Sequence, residues 1–566
     1  MSDPFCTVAG VAVRVGYCGQ STAKLLACSL RGGEVSASCS GGSVSVPTLV
    51  GQGDDNPAQV GKYVAATGVV EITGLSPFTG YTWSVTVDGQ TITGSFKTLP
   101  ADAITDYGFL MWTCESYSVG HRWQKGDVYA DIKETVETAA EPILFSAHID
   151  DLGYFDIFKY VGASQTDATT GLYTTAGAGQ QGPMSTGLAW DYAVGWCAWL
   201  GLLPSRPALS TESRLWMMRN LPLWSQWGDH EIAGDHCSGV YVGPADSSYQ
   251  WGCNRATYNN GQIPAGINLE AVAESMYEAF CASACAPPRQ AADGGPASQV
   301  NAQYWGAVVG PVRFFSFDRN KYALPFNACD LGDTHSYGRA GSTMAGTCAG
   351  ATVPTRTELG VLTDTQPTEF LGATQLNDML TWLNNDEPFK VIFASNGIAR
   401  HNQPWADRWP TEFDDFIGRP STGLMQNPKT SGTDGYSCFI KGDTHGLHVT
   451  SYHANGSDGL GSAAVASGEL WEICSGTING STIGGNLFIN AISCGGKLRY
   501  GKCGVTQGDR TISAFTQVRV LASLAQAELH VSLVQTPGQR TVWSGFQKVG
   551  QAGNGFQYLT NPTLVG

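Results

Sequence analysis

At 566 residues, with 42% hydrophobic and only 14% charged side chains, the chain reads as a globular protein of two or more domains. A formal net charge of −16 argues against a nucleic-acid backbone as partner, and no apolar run is long enough to span a bilayer. Sixteen cysteines are many for a reducing compartment. They include no Cys-x-x-Cys pair, Cys281-Ala-Ser-Ala-Cys285 coming nearest, and no connectivity can be read from their spacing.

The N-terminal MSDPFCTVAG has no basic region followed by an apolar core, so no signal peptide is expected. The favoured location is nevertheless extracellular-facing: secreted, or on a virion or cell surface. Residues 1–100 form the first predicted domain, all-β and built from short Val/Thr/Ser alternations (VAVRV, EVSAS, GSVSV, TWSVTV, TITGSF) between Gly, Asn and Asp turns. Its second half resembles the closing strands of a fibronectin type III-like sandwich, with Leu75-Ser-Pro77-Phe-Thr79-Gly-Tyr81 as a loop leading into a buried tyrosine. Such a module is expected to position the rest of the chain or attach it to a larger assembly.

The second predicted domain, 101–566, alternates strands with helices and ends in a β-rich part. Tyr107 to Thr113 is a continuous apolar run, as expected for a strand covered on both faces, and it stops at Cys114-Glu115. Val128 to Ala139 is a predicted helix, and Pro142 to Ala147 a strand ending at His148-Ile149-Asp150-Asp151. A Gly- and Thr-rich loop (164–187), the aromatic helix Trp190 to Leu203, and the strand Leu221 to Trp227 follow, the last running into Gly228-Asp229-His230-Glu231. Residues 232 to about 300 are expected to be irregular. Val308 to Phe317 begins a new run of strands, Leu371 to Leu383 has helical spacing, and Phe389 to Ala394 is a strand. Cys438 to Ile440 then leads into Lys441-Gly442-Asp443-Thr444-His445, and the chain beyond about 450 is β-rich.

Open α/β sheets place their chemistry at the C-terminal ends of strands. Here those ends carry Cys, Asp-x-x-Tyr, Asp-His-Glu and Asp-x-His, a mixture of soft, anionic and imidazole donors. The mixture suits a transition metal with a hard cation beside it rather than one octahedral Mg²⁺. Two metals a few ångströms apart can activate water and clamp a phosphate for in-line displacement. A serine hydrolase is disfavoured because no strand runs into a Gly-x-Ser-x-Gly elbow, and neither a P-loop nor a dinucleotide fingerprint is present. Each cluster also has a plain structural reading: Cys114 as a buried small hydrophobe, His230 as a satisfied imidazole, Asp443-Thr-His445 as turn chemistry.

In order and context the motifs resemble the PhoD-like alkaline phosphatases, a branch of the calcineurin-like metallophosphoesterases. Thr113-Cys114 is similar to the family's Ser-Cys strand end. His148-Ile-Asp150-Asp151-Leu-Gly-Tyr154 is similar to its His-x-Gly-Asp-x-x-Tyr, and Trp227-Gly228-Asp229-His230-Glu231 to its Trp-Asp-Asp-His-Glu. Phe317-Asp318-x-Asn320, Leu371-Gly372-x-x-Gln375 with Trp382-Leu383, Phe389-Lys390-Val391, Asp407-Arg-Trp409 and Gly442-Asp443-Thr-His445 follow in the family's order. That order selects the second Gly-Asp-Thr-His over the identical Gly332-Asp333-Thr334-His335. The likeness spans roughly residues 105–450. Two positions depart from it: Asp150 stands where the family has glycine, and Gly228 where it has aspartate.

The resemblance implies a four-layer α/β/β/α metallophosphatase sandwich preceded by the all-β N-terminal domain. It implies one iron (Fe³⁺) and one or two calcium ions, with Zn, Mn or Mg as alternatives. Cys114 and Tyr154 would bind the iron, Asp151 would bridge metals, Asp229 would bind calcium, and Asp443 and His445 would complete the set. His230 and Asp151 would be catalytic, with His230 and Asn396 on the substrate side; His401 is a further candidate for the remaining motif. The implied activity is metal-dependent hydrolysis of phosphomonoesters or phosphodiesters, small or polymer-borne. The alternative is a surface- or virion-associated structural or attachment protein with a reduced or glycan-trimming domain.

Overall fold

The computed structural model describes residues 10–57, 60–115, 128–153, 188–202, 212–228, 230–232, 269–319, 371–394, 436–442, 447–453, 469–475, 496–502, 513–536, 538–551 and 556–559. Eight strands precede residue 100: β1 (Val11–Cys18), β2 (Thr22–Ser29), β3 (Val35–Cys39), β4 (Ser43–Ser45), β5 (Val50–Gln52), β6 (Ala65–Thr73), β7 (Gly80–Val87) and β8 (Gln90–Lys97). They form two antiparallel sheets, β1-β2-β6-β4 with β5 also on β6, and β3-β7-β8. The alternation of Val11, Val13 and Val15 on β1, Val70 and Ile72 on β6, and Trp83, Val85 and Val87 on β7 places one apolar face of each sheet in a shared core.

Tyr81 differs from the buried residue expected of it. It is only partly buried and its hydroxyl accepts the Ser76 N–H at 2.8 Å, while the buried aromatic of this strand is Trp83.

Strand β1 is buried on both faces, because its second face packs against the remainder of the chain. Gly16 is required there: a Cβ on it would meet the carbonyl of Ala284. From the same strand, the Arg14 guanidinium lies 4.5 Å from the centre of the Trp199 ring.

The rest of the chain is mixed α/β, with two seven-stranded sheets and few helices. The first sheet has the order β11-β10-β9-β19-β20-β21-β22: β9 (Tyr107–Trp112), β10 (Ile143–Ile149) and β11 (Leu223–Gln226) run parallel. β19 (Ser513–Leu521), β20 (Glu528–Thr536), β21 (Arg540–Lys548) and β22 (Gln557–Tyr558) add antiparallel. The second has the order β12-β13-β14-β15-β17-β16-β18. β13 (Val312–Ser316), β14 (Phe389–Ala394), β15 (Tyr436–Lys441) and β17 (Glu469–Ser475) are parallel, β12 (Trp305–Val309) and β16 (Leu447–His453) run against them, and β18 (Gly496–Lys502) pairs antiparallel with β16.

The sheets meet through aromatic side chains. Phe109 stacks on Phe145 with centroids 5.0 Å apart, and Phe145 on Trp224 at 3.6 Å. Phe314 of the other sheet meets all three edge-on, at 5.2, 5.7 and 5.4 Å. Offset and edge-to-face packing of this kind adds to the stabilisation from burial alone.

Helices α1 (Val128–Thr138) and α2 (Ala189–Trp199) stand where the sequence places helices, and α3 (Glu212–Asn220) precedes β11. The stretch expected to be irregular is helical at its end: α4 (Leu269–Tyr277) runs through a π turn (Glu278–Ala282) into Ser283–Cys285. The signal was present in Val272, Ala273, Met276, Tyr277 and Phe280, spaced for one helical face. Helix α5 (Ala373–Leu383) packs on β13, where the Trp382 indole donates to the Phe314 carbonyl at 2.8 Å. Cys18, Cys28, Cys39, Cys197, Cys281, Cys285 and Cys438 are free thiols. No helix among the described residues is long and apolar enough to cross a membrane.

Candidate active site

The parallel strands of both sheets end at one edge, and their last residues are tied together by the main chain. After β9, Cys114 N–H donates to the Asp150 carbonyl at 3.3 Å and Glu115 N–H to the Asp151 carbonyl at 3.0 Å. After β10, Asp150 N–H donates to the Gln226 carbonyl at 2.9 Å, and after β15, Gly442 N–H donates to the Ala394 carbonyl at 2.9 Å. Two glycines mark how closely these ends approach. A Cβ on Gly228 would fall inside contact distance of Asp150 Oδ1 and 2.6 Å from Asp151 Oδ1. A Cβ on Gly442 would lie 2.5 Å from Thr113 Oγ1 and 2.8 Å from the Ile149 carbonyl. Ends of β9, β10, β11 and β15, two from the middle of one sheet, one from its edge and one from the other sheet, thus converge.

Three non-glycine residues at this edge have left-handed backbones: Cys114 (φ 57°), Asp150 (φ 70°) and Asp151 (φ 49°). Side chains there cost conformational energy that surrounding structure must hold, and such residues concentrate at functional sites. Cys114 Sγ lies 3.4 Å from Asp151 Oδ2 and 3.0 Å from Thr113 Oγ1, and Cys114, Asp150 and Asp151 are fully buried.

Of the site residues drawn from the sequence, the structure therefore brings Cys114 and Asp151 into contact. It places His230, buried at 6% exposure, in the turn after β11. Tyr154, Asp229, Asn396, His401, Asp443 and His445 lie outside the described residues, as does the first Gly-Asp-Thr-His copy at 332–335. Among the described residues, no group of three or more His, Cys, Asp or Glu side chains could hold a metal ion.

His148 departs from its expected place. β10 continues to Ile149, so His148 is inside the strand rather than in the cluster that ends it. Strand alternation turns it to the side of Trp112, whose ring centre is 6.0 Å away, and away from the aromatic layer between the sheets. There it meets a buried polar group built on Glu115. That carboxylate accepts from Arg214 Nε at 2.8 Å, from Trp199 Nε1 at 3.1 Å and from the Tyr129 hydroxyl, and His148 Nδ1 lies 3.8 Å from it.

Burial alone would raise Glu115, but Arg214, His148 and the hydrogen bonds from Arg214 and Tyr129 outweigh it and hold the acid at about 2. Burial pushes His148 down to about 3, against the pull of Glu115, so the imidazole is neutral at ordinary pH. A neutral imidazole carries no counter-charge for Glu115. The Arg214 pair, at hydrogen-bonding distance, is the one that keeps Glu115 ionised. α1, α2 and α3 are thereby anchored to the residue that follows Cys114.

Glu231 received no role from the sequence. Its Oε2 accepts the Gly228 N–H at 2.6 Å and its Oε1 the Gly153 N–H at 2.7 Å. Burial raises its carboxyl to about 8, against those backbone donors and His230.

A further chain of contacts joins motifs far apart in sequence. Trp227 Nε1 donates to Asp318 Oδ1 at 3.1 Å, Asp318 N–H to Gln375 Oε1 at 2.6 Å, and Gln375 Nε2 to the carbonyls of Asp318 and Leu371 at 2.8 and 3.0 Å. The Trp227 ring also stacks on Tyr277 at 5.4 Å, and Tyr192 donates to the Ile232 carbonyl. The turn carrying His230 is held on several sides.

The sequence matches no family model, and no curated protein matches it. Among solved structures, one titled "Structure of PhoD" is similar to this chain, with a TM-score of 0.56 over 98% of this chain and 92% of the other. At 15% identity the likeness is one of fold.

Proposed function

We propose that the chain is a PhoD-like, metal-dependent phosphoesterase that hydrolyses phosphomonoesters or phosphodiesters, small or polymer-borne. The observation that carries this reading is the convergence of Thr113-Cys114, Asp150-Asp151, Gly228 and Gly442 at one edge of the two sheets. Each of these strand ends belongs to one of the motifs on which the resemblance rests. The fold likeness over nearly the whole chain supports the reading independently of those motifs. On this view the two large sheets and their helices correspond to the α/β/β/α sandwich, and β1–β8 to the N-terminal β domain.

The donor set fits the metals that the reading requires. A buried thiol 3.4 Å from a buried carboxylate suits iron at the Cys114 side with a harder cation towards the aspartates. Cys114, Asp151, Tyr154, Asp229, Asp443 and His445 are the residues that would hold them, with iron and calcium favoured over Zn, Mn or Mg. When bound, the metals supply Lewis acidity that neutralises phosphate charge and makes a water acidic enough to attack near neutral pH.

The protein's own groups supply the remainder. The left-handed backbones at 114, 150 and 151, locked by the main-chain bonds between β9 and β10, hold the donors in place before substrate arrives. His230, on the turn after β11, is assigned to donate a hydrogen bond to the phosphoryl oxygens or a proton to the leaving oxygen. Asn396, two residues beyond the end of β14, is assigned to the substrate side.

The test is elemental analysis of chelator-free protein together with hydrolysis of p-nitrophenyl phosphate and bis-p-nitrophenyl phosphate. Iron near one per chain with calcium beside it, and turnover of either ester, is the expected result. Asp151→Ala should lose both metal and turnover. Protein that stays metal-free and inactive after reconstitution would overturn the assignment.

A further inference from the structure

We propose that Glu231 is a positioning residue, a two-armed clamp that sets the spacing between the β10 and β11 ends of the metal site. The inference rests on the phosphoesterase reading above and goes beyond it. Glu231 is 1% exposed, and its two carboxylate oxygens are used separately. Oε2 accepts the backbone N–H of Gly228 at 2.6 Å, and Oε1 accepts that of Gly153 at 2.7 Å. Gly228 immediately precedes Asp229, and Gly153 immediately precedes Tyr154. One side chain therefore holds the residue before each of two assigned metal donors, one after β11 and the other after β10.

The geometry demands a carboxylate. Both partners are N–H donors, so the bridging group must accept on both oxygens. Glutamine keeps the length but presents an NH₂ to one of the two N–H groups. Aspartate accepts twice but is one methylene short of spanning both loops. A donor facing another donor in the interior loses its partner outright, at the full cost of its desolvation. Neighbouring contacts hold the frame in which the clamp acts: Trp227 on Asp318 and Tyr277, and Tyr192 on the Ile232 carbonyl. They fix where the turn sits, whereas Glu231 fixes its distance from β10.

Removing a group that orients metal ligands without touching the metal typically lowers metal affinity about 10- to 100-fold. Glu231→Gln should therefore raise the metal concentration needed for half-maximal occupancy by that factor, with kcat at saturating metal within a few-fold of wild type. Glu231→Asp should fall between the two.

The activity-independent readout is hydrogen exchange of peptides containing Gly153 and Gly228, protected in the wild type and exchanging together in Glu231→Gln. Unchanged exchange, or unchanged metal affinity in a folded variant, overturns the clamp. A large kcat loss at saturating metal also overturns it, because Glu231 would then act on the reaction itself. A wild-type protein that binds no metal removes the phosphoesterase reading and, with it, the metal-spacing role; exchange alone then decides whether the two loops are joined through Glu231. Should Glu231→Gln fail to fold, Glu231→Asp carries the same two measurements.

Discussion

The carboxylate of Asp150 occupies the space in which a side chain on Gly228 would begin. Gly228 is not strained by its backbone, so the demand for glycine there is steric and comes from the neighbouring strand end. These are also the two positions at which the motifs depart from the PhoD-like pattern, aspartate for glycine at 150 and glycine for aspartate at 228. The two departures face each other.

Gly228→Ala should then be costly, with Asp150 one cause beside the Asp151 nitrogen and carboxylate. Forcing a methyl group against buried carboxylates is an overpacking change of about 1–3 kcal/mol. Asp150→Gly removes the nearest of the obstacles and relieves a left-handed aspartate, while the Asp151 nitrogen, inside contact distance, and Oδ1 at 2.6 Å remain. The double variant should regain part of the stability lost by Gly228→Ala, as read by urea unfolding. Additive losses would show that the two positions are independent.

Gly442, which opens the second Gly-Asp-Thr-His copy, touches Thr113 and Ile149 at the convergent edge. His445→Ala is accordingly expected to reduce hydrolysis of p-nitrophenyl phosphate to near background, and His335→Ala to leave it within a few-fold of wild type. The reverse pattern would assign the site to the first copy.

Arg214→Met should destabilise the protein by roughly 3–5 kcal/mol, because it leaves the Glu115 carboxylate buried without its counter-charge. Adding Glu115→Gln removes that charge and should restore part of the loss. Urea unfolding of the four proteins of this cycle measures the coupling. A cost below about 1 kcal/mol, the range of surface pairs, would mean that Arg214 is not the charge that matters.

Glu472 predicts part of the acid sensitivity. It is fully buried with Lys441 Nζ at 2.8 Å. Burial would raise its carboxyl, but Lys441 and His448 outweigh that and hold it at about 2 against an ordinary 4.5. A carboxyl depressed in the folded state contributes stability that is complete above pH 4.5 and lost as pH falls towards 2. At ~1.4 kcal/mol per pKa unit, the amount is on the order of 3 kcal/mol. Glu472→Gln should therefore be well below wild type at pH 6 and close the gap between pH 4.5 and 2.5. A constant gap across that range would contradict the ion pair.

Much of this was decided by local sequence. The runs at 107–112 and 389–394 are continuous and almost wholly apolar, as strands covered on both faces require, and Leu376, Met379, Leu380 and Leu383 sit on one face of α5 because their spacing is helical. The order of the short motifs pointed to Cys114 and Asp151, which the fold brings within 3.4 Å. What the sequence could not supply were relationships with no periodic signature. Neither the exchange of space between Asp150 and Gly228, nor Glu231 reaching Gly153, nor Gln375 holding Asp318 has one. The second face of β1 has the composition of an ordinary sandwich strand, and only the fold sets Ala284 and Trp199 against it. β10 runs two residues past Ala147, so His148 is a strand residue on the Trp112 side, a difference that a polar side chain after an apolar run conceals. Periodicity reports which groups must leave water; which of them then meet depends on chain segments up to hundreds of residues apart, and only the folded chain brings those together.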